Sequence, residues 1–260
     1  MANENKKYIQ SLLQKSIRED GRKLDQYREI KVEYGVSAKS AEGSARVKIG
    51  ETEVVAGVKM DVGDPFPDRP DEGTIIVNAE LLPLASPEFE SGPPSVSSIE
   101  LSRIVDRGIR ESKTLDFKKL CIKKGEKVWL VFIDIYPIND AGNLFDAAAL
   151  AAFAALTNAK FPEYDEETER VKYDEKTKKA IPLEKTPMAC TVFKIGDSLV
   201  VDPTNREQDA ADARLTSVSL EDGNLCAMQK GGDQPLSAED IVKMIELSIA
   251  KAKELKKVFK

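Results

Sequence analysis

The stretch SARVKIGETEVVAGVKMDV, residues 44–62, contains two runs of β-branched residues separated by a short loop with a glycine. This pattern predicts a β-hairpin. The apolar stretch TIIVNAELLPLA, residues 74–85, follows and predicts a buried strand. The segment FESGPPS, residues 89–95, then ends the strand pattern, because glycine and consecutive prolines do not continue a strand. We expect a helix after it, with Ser97 and Glu100 forming a capping box in its first turn.

The segment SSIELSRIVDRGIRES, residues 97–112, has the periodicity of an amphipathic helix. Its apolar residues share one side and are Leu101, Ile104, Val105 and Ile109. Arg103, Arg107 and Arg110 are spaced by four and three residues, which places their guanidinium groups on one stripe of the other side. Forked, permanently charged donors suit phosphate oxygens. The stripe is therefore a candidate site for a phosphate-rich ligand.

Acidic residues at helical spacing give this stripe a second interpretation. The spacing allows three ion pairs along the helix, which are Glu100–Arg103, Asp106–Arg110 and Arg107–Glu111. In that case the stripe is a solvated surface whose charges neutralise one another. Spacing alone favours this interpretation over a phosphate-binding one.

The composition restricts where the chain acts and what it binds. The 260 residues include 39 Lys and Arg against 45 Asp and Glu, a net charge of −6. This charge excludes a global positive field that attracts nucleic acid, so such a contact requires a local patch or a partner. No apolar run approaches the length of a membrane span, and the first ten residues lack the apolar core of a signal peptide. We therefore expect a cytoplasmic protein that does not contact membranes.

The chain contains no histidine. This excludes Ser-His-Asp and Cys-His catalytic arrangements, an imidazole general base and every metal site that includes histidine. Cys121, Cys190 and Cys226 lie far apart within apolar sequence, which favours buried thiols over disulfides or metal ligands. Any chemistry would depend on carboxylates, lysine, arginine or a metal ion bound through oxygen.

The remaining sequence alternates between sheet and helix patterns. A helix is predicted at residues 5–18, with Tyr8, Leu12 and Ile17 on its apolar side. Further predicted elements are a strand at 127–138 that buries Trp129, an alanine-rich helix at 146–159, hairpins at 191–202 and 214–230, and a last helix capped by Ser237 and Asp240. Residues 162–187 are charged and poor in large apolar residues, which predicts a surface linker or an extended arm. This order is typical of an α+β fold with helices against antiparallel sheets.

Five longer motifs resemble the RNase PH family. They are REDGRKLDQYR at residues 18–28, GSARVKIGETEVVAGVK at 43–59, EGTIIVNAELLPLASPEFESGPP at 72–94, IELSRIVDRGIRESKTLDFKKL at 99–120 and VDPTNREQDAADARLT at 201–216. Within the family, they are similar to the non-catalytic RNase PH-like subunit of the archaeal exosome. The similarity extends from about residue 16 to the C-terminus.

The resemblance implies an α+β RNase PH fold with two ribosomal-protein-fifth-domain-like halves, each a β-sheet with helices. We expect an N-terminal helix and DGR turn at residues 1–28 and a first half at 29–161. A charged linker at 162–187 then leads to the second half at 188–260.

The resemblance also implies a hetero-hexameric ring, a trimer of dimers formed with a catalytic RNase PH-like sister subunit. Such a ring phosphorolyses single-stranded RNA from its 3′ end and carries exosome cap proteins on one face. The assembled complex uses inorganic phosphate and Mg²⁺, and no cofactor is implied for this subunit. The family's equivalents of Arg103 and Arg107 hold the RNA backbone in the sister's site. Arg110 is a third RNA-binding candidate, expected to matter less because Asp106 is placed to pair with it.

Two differences from catalytic family members indicate a non-catalytic chain. Catalytic members carry adjacent arginines just before the arginine-bearing helix, whereas this chain has Val96, Ser97 and Ser98. They also carry a phosphate-holding arginine in the glycine turn before the alanine-rich helix, where this chain has Leu144 and Phe145. No side-chain cation is then left in that turn to neutralise an attacking phosphate.

A third difference concerns the family's catalytic carboxylates, which lie six residues apart. Asp212 matches the second, but Arg206 stands at the position of the first. A shift of one residue gives Glu207, and Glu207, Asp209 and Asp212 could then bind Mg²⁺ in an active phosphorolytic exoribonuclease that forms its own ring. The same carboxylates could also serve a metal-dependent hydrolase unrelated to RNA. The missing groups together favour the non-catalytic interpretation.

Two surface segments have alternative interpretations. The lysine-rich segment KKLCIKKGEKVW, residues 118–129, either contacts RNA or only adds solubilising charge. The loop GDPFPDRPDEG, residues 63–73, is either a rigid surface excursion or a neighbour of a subunit contact.

Overall fold

The computed structural model describes residues 2–259, which form two sheets, a separate hairpin and five α-helices. The α-helices are α1 (Ala2–Leu13), α2 (Val96–Glu111), α3 (Leu144–Asn158), α4 (Asn205–Asp209) and α5 (Ala238–Leu255). The strands are β1 (Ile30–Tyr34), β2 (Gly43–Ile49), β3 (Thr52–Gly63), β4 (Thr74–Ala79), β5 (Cys121–Lys123), β6 (Lys127–Asn139), β7 (Lys160–Asp165), β8 (Arg170–Ala180), β9 (Met188–Ile195), β10 (Ser198–Val201), β11 (Ala213–Ser219) and β12 (Leu225–Gly231). Short 3-10 helices span Phe117–Leu120 and Lys256–Phe259.

The first sheet has the order β1-β2-β3-β6-β4, and β5 pairs with β6. The predicted hairpin is β2–β3, and Gly50 in its turn adopts a left-handed conformation with φ of 57°. The predicted antiparallel arrangement is wrong for one pair, because β4 runs parallel to β6. The chain between these strands contains the whole of α2, and such a crossover brings the second strand back in the same direction.

The predicted strand at residues 74–85 is only half as long in the structure. Strand β4 ends at Ala79, and turns closed by Ala85 and Phe89 follow it. Pro83 and Pro87 lie in these turns and have no backbone N–H for a sheet hydrogen bond. Residues 80–95 are therefore a loop that leads from the edge of the sheet to the start of α2.

The first helix is α1 and ends five residues earlier than predicted. Its buried side chains are Ile9 and Leu13, whereas Tyr8 and Ile17 are about half exposed, so the predicted apolar side is wrong. Two apolar residues four apart fit more than one register, and the contact with Ile195 in β9 selects Ile9 and Leu13.

The second sheet is antiparallel with the order β10-β9-β11-β12, which contains both predicted hairpins. Helix α5 packs against β9 and β11. Its N-terminus carries the predicted capping box of Ser237 and Asp240, and the buried stripe includes Met244, Ala252 and Leu255.

Helix α3 connects the two sheets. It packs against β2, β3 and β6 on one side and against β9 on the other, and ten of its fifteen residues are buried. Small alanine side chains let the neighbouring backbones approach closely. A Cβ atom built on Gly43 in β2 would overlap the Ala155 carbonyl oxygen and lie 2.5 Å from the Ala159 Cα atom. One hydrophobic core therefore spans both sheets.

The charged segment at residues 162–187 contains most of a two-stranded hairpin formed by β7 and β8. Phe161 and Tyr164 pack edge-on against Trp129, with ring centroids 5.4 and 6.0 Å away. The hairpin is thus an arm whose base is fixed to the first sheet rather than a linker without secondary structure. Of the two interpretations of this segment, the extended arm agrees with the structure, and only a few large apolar residues are needed to fix its base. Trp129 is buried as predicted.

Among the described residues, no helix combines the length and the apolar character that crossing a membrane requires.

Candidate functional site

Helix α2 begins two residues earlier than its sequence suggests. The N-cap is Ser95, whose side-chain oxygen accepts a hydrogen bond from the Ser98 backbone N–H at 3.2 Å. The predicted capping box of Ser97 and Glu100 is wrong, because Ser95 rather than Ser97 is the N-cap. Glu100 instead forms an ion pair with Arg214 of β11 at 2.5 Å.

Arg110 is held within the fold. Its guanidinium group donates to both carboxylate oxygens of Asp106, at 3.1 and 2.8 Å, and to the Ile75 carbonyl oxygen at 3.0 Å. It also lies over the Phe117 ring, 5.6 Å from the centroid. The predicted pairing of Asp106 with Arg110 is present, so Arg110 links α2 to the edge of the first sheet.

Arg103 and Arg107 have a different environment. Arg103 is exposed and forms no ion pair or hydrogen bond with any side chain that the structure describes. Arg107 is half-buried, and one guanidinium nitrogen lies 3.5 Å from the Gln229 side-chain oxygen. The spacing-based pairs Glu100–Arg103 and Arg107–Glu111 do not form within residues 2–259, since Glu100 binds Arg214. The self-paired interpretation therefore holds for Arg110 alone.

The same stripe continues toward the helix N-terminus with apolar side chains. Val96 and Ile99 precede Arg103 by seven and four residues and are 84 % and 48 % exposed. The exposed stripe of α2 therefore begins with two aliphatic side chains and continues with two arginines that have no acidic partner in the described part of the chain.

A cleft of about 590 Å³ lies beside the first turn of α2. The end of β4 and the 80–95 loop form its walls together with Ser97 and Ser98. Its charged lining residues are Glu80, Glu88 and Glu90. Burial and the neighbouring Glu80 carboxylate raise the pKa of Asp134, which pairs with Asn78 at the same end of the sheet. Ser97 and Ser98, which line this cleft, stand where the resemblance places the adjacent arginines of catalytic members.

The acidic residues at the start of the second sheet have structural partners. Glu207 is buried and accepts hydrogen bonds from Arg18 at 2.9 and 2.6 Å. Asp212 accepts from Lys6 at 2.5 Å and from the Gly196 backbone N–H at 2.6 Å. Asp209 is exposed. Residues 2–259 contain no group of three or more His, Cys, Asp or Glu that could hold a metal ion.

The start of α3 offers no free cation either. Leu144 and Phe145 occupy its first positions, as the sequence indicates. The Arg214 guanidinium group lies over the Phe145 ring at 4.4 Å, but it is already paired with Glu100. Sequence reasoning missed Arg214, since nothing local marks a residue whose partners are 69 and 114 positions away.

The motif at residues 18–28, which carries the family resemblance most clearly, is structural. Arg18 is fully buried against Glu207, and Arg28 forms an ion pair with Asp202 at 2.6 Å. Tyr27 donates to Asp146 at 2.6 Å, and the other oxygen of Asp146 accepts from a β9 backbone N–H at 2.8 Å. The motif thus connects α3 and both sheets.

The two surface segments with alternative interpretations, residues 118–129 and 63–73, both form contacts with other parts of this chain. In the lysine-rich segment, Lys119, Lys123 and Lys127 pair with Glu184, Glu126 and Asp64, respectively. This agrees with solubilising charge. The loop at residues 63–73 is fixed at its base by the hydrogen bonds Gly73 N–H to Phe117 O and Gly125 N–H to Pro70 O.

Comparison with known proteins gives consistent matches along the whole chain. The model for domain 1 of the 3′ exoribonuclease (RNase PH) family matches residues 26–162, and the domain 2 model matches residues 185–251. The exosome complex component Rrp42 of Methanothermobacter thermautotrophicus is 46 % identical over 250 residues, 96 % of this chain and 92 % of that protein. The Rrp42 of Archaeoglobus fulgidus is 47 % identical over 253 residues, 97 % and 95 % of the two chains.

Solved structures match over the same length. A chain of the Archaeoglobus fulgidus exosome with RNA bound to the active site has a TM-score of 0.91 and 46 % identity, and covers 100 % of this chain and 99 % of its own. A chain of an archaeal exosome core has a TM-score of 0.86 and 42 % identity, with coverage of 100 % and 98 %.

Proposed function

Because this chain belongs to the RNase PH family of 3′ exoribonucleases, we propose that it is a non-catalytic subunit of an archaeal exosome ring. In this proposal Arg103 and Arg107 bind single-stranded RNA at the active site of a catalytic RNase PH-like sister subunit. The ring is a trimer of such dimers with cap proteins on one face. The assembled complex degrades RNA from 3′ to 5′ with inorganic phosphate and Mg²⁺.

The observation that supports the proposal most directly is the exposure of Arg103, together with the lack of acidic partners for Arg103 and Arg107 among the described residues. Arg103 is exposed and has no ion pair in the described part of the chain, and Arg107 has only a long contact to Gln229. Both sit on a helix that the Glu100–Arg214 pair and the apolar stripe fix to the rest of the fold. Two positioned guanidinium groups with free donors suit the phosphates of a single strand.

The non-catalytic part is supported by the positions where a reaction would need charged groups. Glu207 and Asp212 are bound to Arg18 and Lys6, and therefore serve the fold. Leu144 stands where the resemblance places a phosphate-holding arginine. The same contacts weigh against an active phosphorolytic ring formed by this chain alone.

The test compares the purified chain with a mixture that contains a catalytic sister subunit, both given RNA, inorganic phosphate and Mg²⁺. We expect no nucleoside diphosphate from the chain alone and release from the mixed ring. The variant Asp212→Asn should leave the activity of the mixed ring nearly unchanged, because Asp212 has only structural partners.

Release of nucleoside diphosphate by the chain alone would contradict the proposal. So would a loss in the Asp212→Asn ring as large as that of a catalytic-residue variant in the sister, with the ring still intact by size-exclusion chromatography.

A further inference from the structure

We propose that the cleft beside α2 repels RNA by charge, so that a strand held by Arg103 and Arg107 can place its 3′ end only in the sister subunit's site. The residues assigned to this exclusion are Glu80, Glu88 and Glu90, named here the acidic wall. The inference rests on the proposed function, because it concerns a strand that the arginine stripe has already bound.

The position of the cleft creates the need for exclusion. Ser97 and Ser98 line the cleft, and Arg103 follows on the same helix. At about 1.5 Å per residue, the cleft and Arg103 are separated by roughly 8–9 Å along the helix axis. Ser97 and Ser98 lie roughly 120–140° around the helix from Arg103, so the cleft lies off the arginine stripe but close to the path of a strand that leaves Arg103 toward the helix N-terminus.

Size does not close the cleft to a nucleotide. Its volume of about 590 Å³ lies within the range of ordinary small-molecule pockets. A 3′ end that settled there would be bound without reacting, because the catalytic groups are missing. Productive binding therefore requires another means of exclusion.

The charge of the lining provides that means. Among the lining residues that the structure describes, three are glutamates and none is lysine or arginine. Glu80 accepts a hydrogen bond from the neutral hydroxyl of Tyr136 at 3.2 Å, and neither Glu88 nor Glu90 has an ion pair within residues 2–259. These exposed carboxylates line the cleft without a counter-charge from the described residues, so a phosphodiester that entered would meet like charge.

The glutamates of the acidic wall also affect the pKa values of neighbouring acidic side chains. Burial and the Glu88 carboxylate raise the pKa of Asp140 and of Asp209, just as burial and Glu80 raise that of Asp134. Asp140 precedes α3, and its backbone N–H is bonded to Ala85 in the 80–95 loop. Glu88 therefore lies close enough to both acids to act on them, and the Arg28 guanidinium opposes this effect at Asp140.

The electrostatic potential of the cleft can be measured with a reactive thiol placed at its edge. Ser97→Cys is made in the full chain with Cys121→Ser and Cys226→Ser, which leaves Cys190 as the other, fully buried thiol. The rates of modification by a cationic and an anionic methanethiosulfonate reagent are compared with those of a small free thiol. We expect the cationic reagent to be favoured at least about tenfold, which corresponds to a free-energy difference of about 1.4 kcal/mol between the two reagents.

Neutralising the acidic wall should remove this preference. Glu80→Gln, Glu88→Gln and Glu90→Gln together should bring the rate ratio close to that of the free thiol. The matched control changes Glu163, Glu166 and Glu167 to Gln, since these exposed glutamates of the β7–β8 hairpin alter the net charge equally. The control should keep the preference, and added salt should weaken it. An unchanged ratio in the triple variant of the acidic wall would overturn the inference.

The consequence for RNA is measured in the assembled ring with an RNA whose last nucleotide is 4-thiouridine. In the unmodified ring the photocrosslink should form with the sister subunit, whereas in the ring with a neutralised wall part of it should move to this chain. Crosslinking that stays with the sister in both rings contradicts the inference alone. If RNA binding by the ring does not depend on Arg103 and Arg107, the proposed function itself is contradicted. The two failures are therefore distinguishable.

Discussion

Three arginines on one stripe of α2 have different roles, and only one of these was predictable from local spacing. The pair Asp106–Arg110 follows from two charges four residues apart. Arg103 has no acidic partner among residues 2–259, because Glu100 binds Arg214, 114 residues along the chain. Helical spacing identifies which partners are near, but not which distant residue competes for them.

The ion pair between Arg18 and Glu207 shows what the family motif does for stability. Both side chains are almost completely buried, so Arg18→Ala would remove the ion-pair partner of Glu207 and leave it only the hydrogen bond from the Thr204 backbone N–H among the described residues. We expect this variant to lower the free energy of unfolding by about 3–5 kcal/mol in urea denaturation. Arg206→Ala is the control, since Arg206 pairs with Glu19 at the surface and should contribute less than about 1 kcal/mol. Equal effects of the two variants would contradict this assignment.

Asp146 makes stability depend on pH in a direction that can be calculated. Burial raises its pKa from 3.8 to about 6, although Tyr27, Asn143 and Thr191 all donate hydrogen bonds to it. The folded chain therefore holds this proton more tightly than the unfolded chain. The stability that Asp146 contributes is fully present below pH 4 and is lost as the pH rises through 6.

The variant Asp146→Asn isolates this effect, because it does not titrate. The stability advantage of the wild-type chain over Asp146→Asn should shrink between pH 4 and pH 7 by at most about 3 kcal/mol. Urea denaturation of both proteins at the two pH values gives the difference. An advantage that stays constant would show that Asp146 has an ordinary pKa, and one that grows with pH would show a lowered pKa; either result contradicts the prediction.

At the scale of elements, the sequence predicted helices and strands correctly where its pattern fits only one arrangement. Alternating β-branched runs with a glycine turn predicted β2–β3, and alanine on every side of residues 146–159 predicted a helix between packed layers. It was insufficient for the apolar side of α1 and for the hairpin at 162–187. There the outcome depends on contacts with Ile195 and Trp129, which are distant in sequence.

The close approach of β2 to α3 gives a test of this packing. Gly43→Ala would place a methyl group against the Ala155 carbonyl and the Ala159 backbone, neither of which can rotate away. We expect a loss of about 1–3 kcal/mol in thermal or urea unfolding. Gly57→Ala in the adjacent strand is the control, because its nearest neighbour would be Ala41 Cβ at 3.9 Å, and it should be neutral or slightly stabilising. A Gly43→Ala chain as stable as Gly57→Ala would refute the close packing.

For the whole molecule, periodicity predicted an α+β fold, and the family resemblance predicted the RNase PH fold. Both predictions are confirmed by the sheet topology and by the match to archaeal exosome core structures. Periodicity could not supply the connection between the halves, because Arg18, Tyr27 and Arg28 contact residues more than 100 positions away. The resemblance marks Arg18, Tyr27 and Arg28 as one motif but does not indicate which distant residues they contact.

The central claim is that Arg103 and Arg107 bind RNA phosphates in the assembled ring. The measurement is the slope of log affinity against log salt for single-stranded RNA, with ring integrity checked by size-exclusion chromatography. Arg103→Ala with Arg107→Ala should weaken binding and flatten the slope by about 1.4, at about 0.7 for each lost phosphate contact. Arg110→Ala is the control on the same stripe and should leave the slope nearly unchanged, because Arg110 is bound to Asp106 and Ile75. An intact double-variant ring with unaltered affinity and slope would contradict the account and make the stripe an ordinary solvated helix surface.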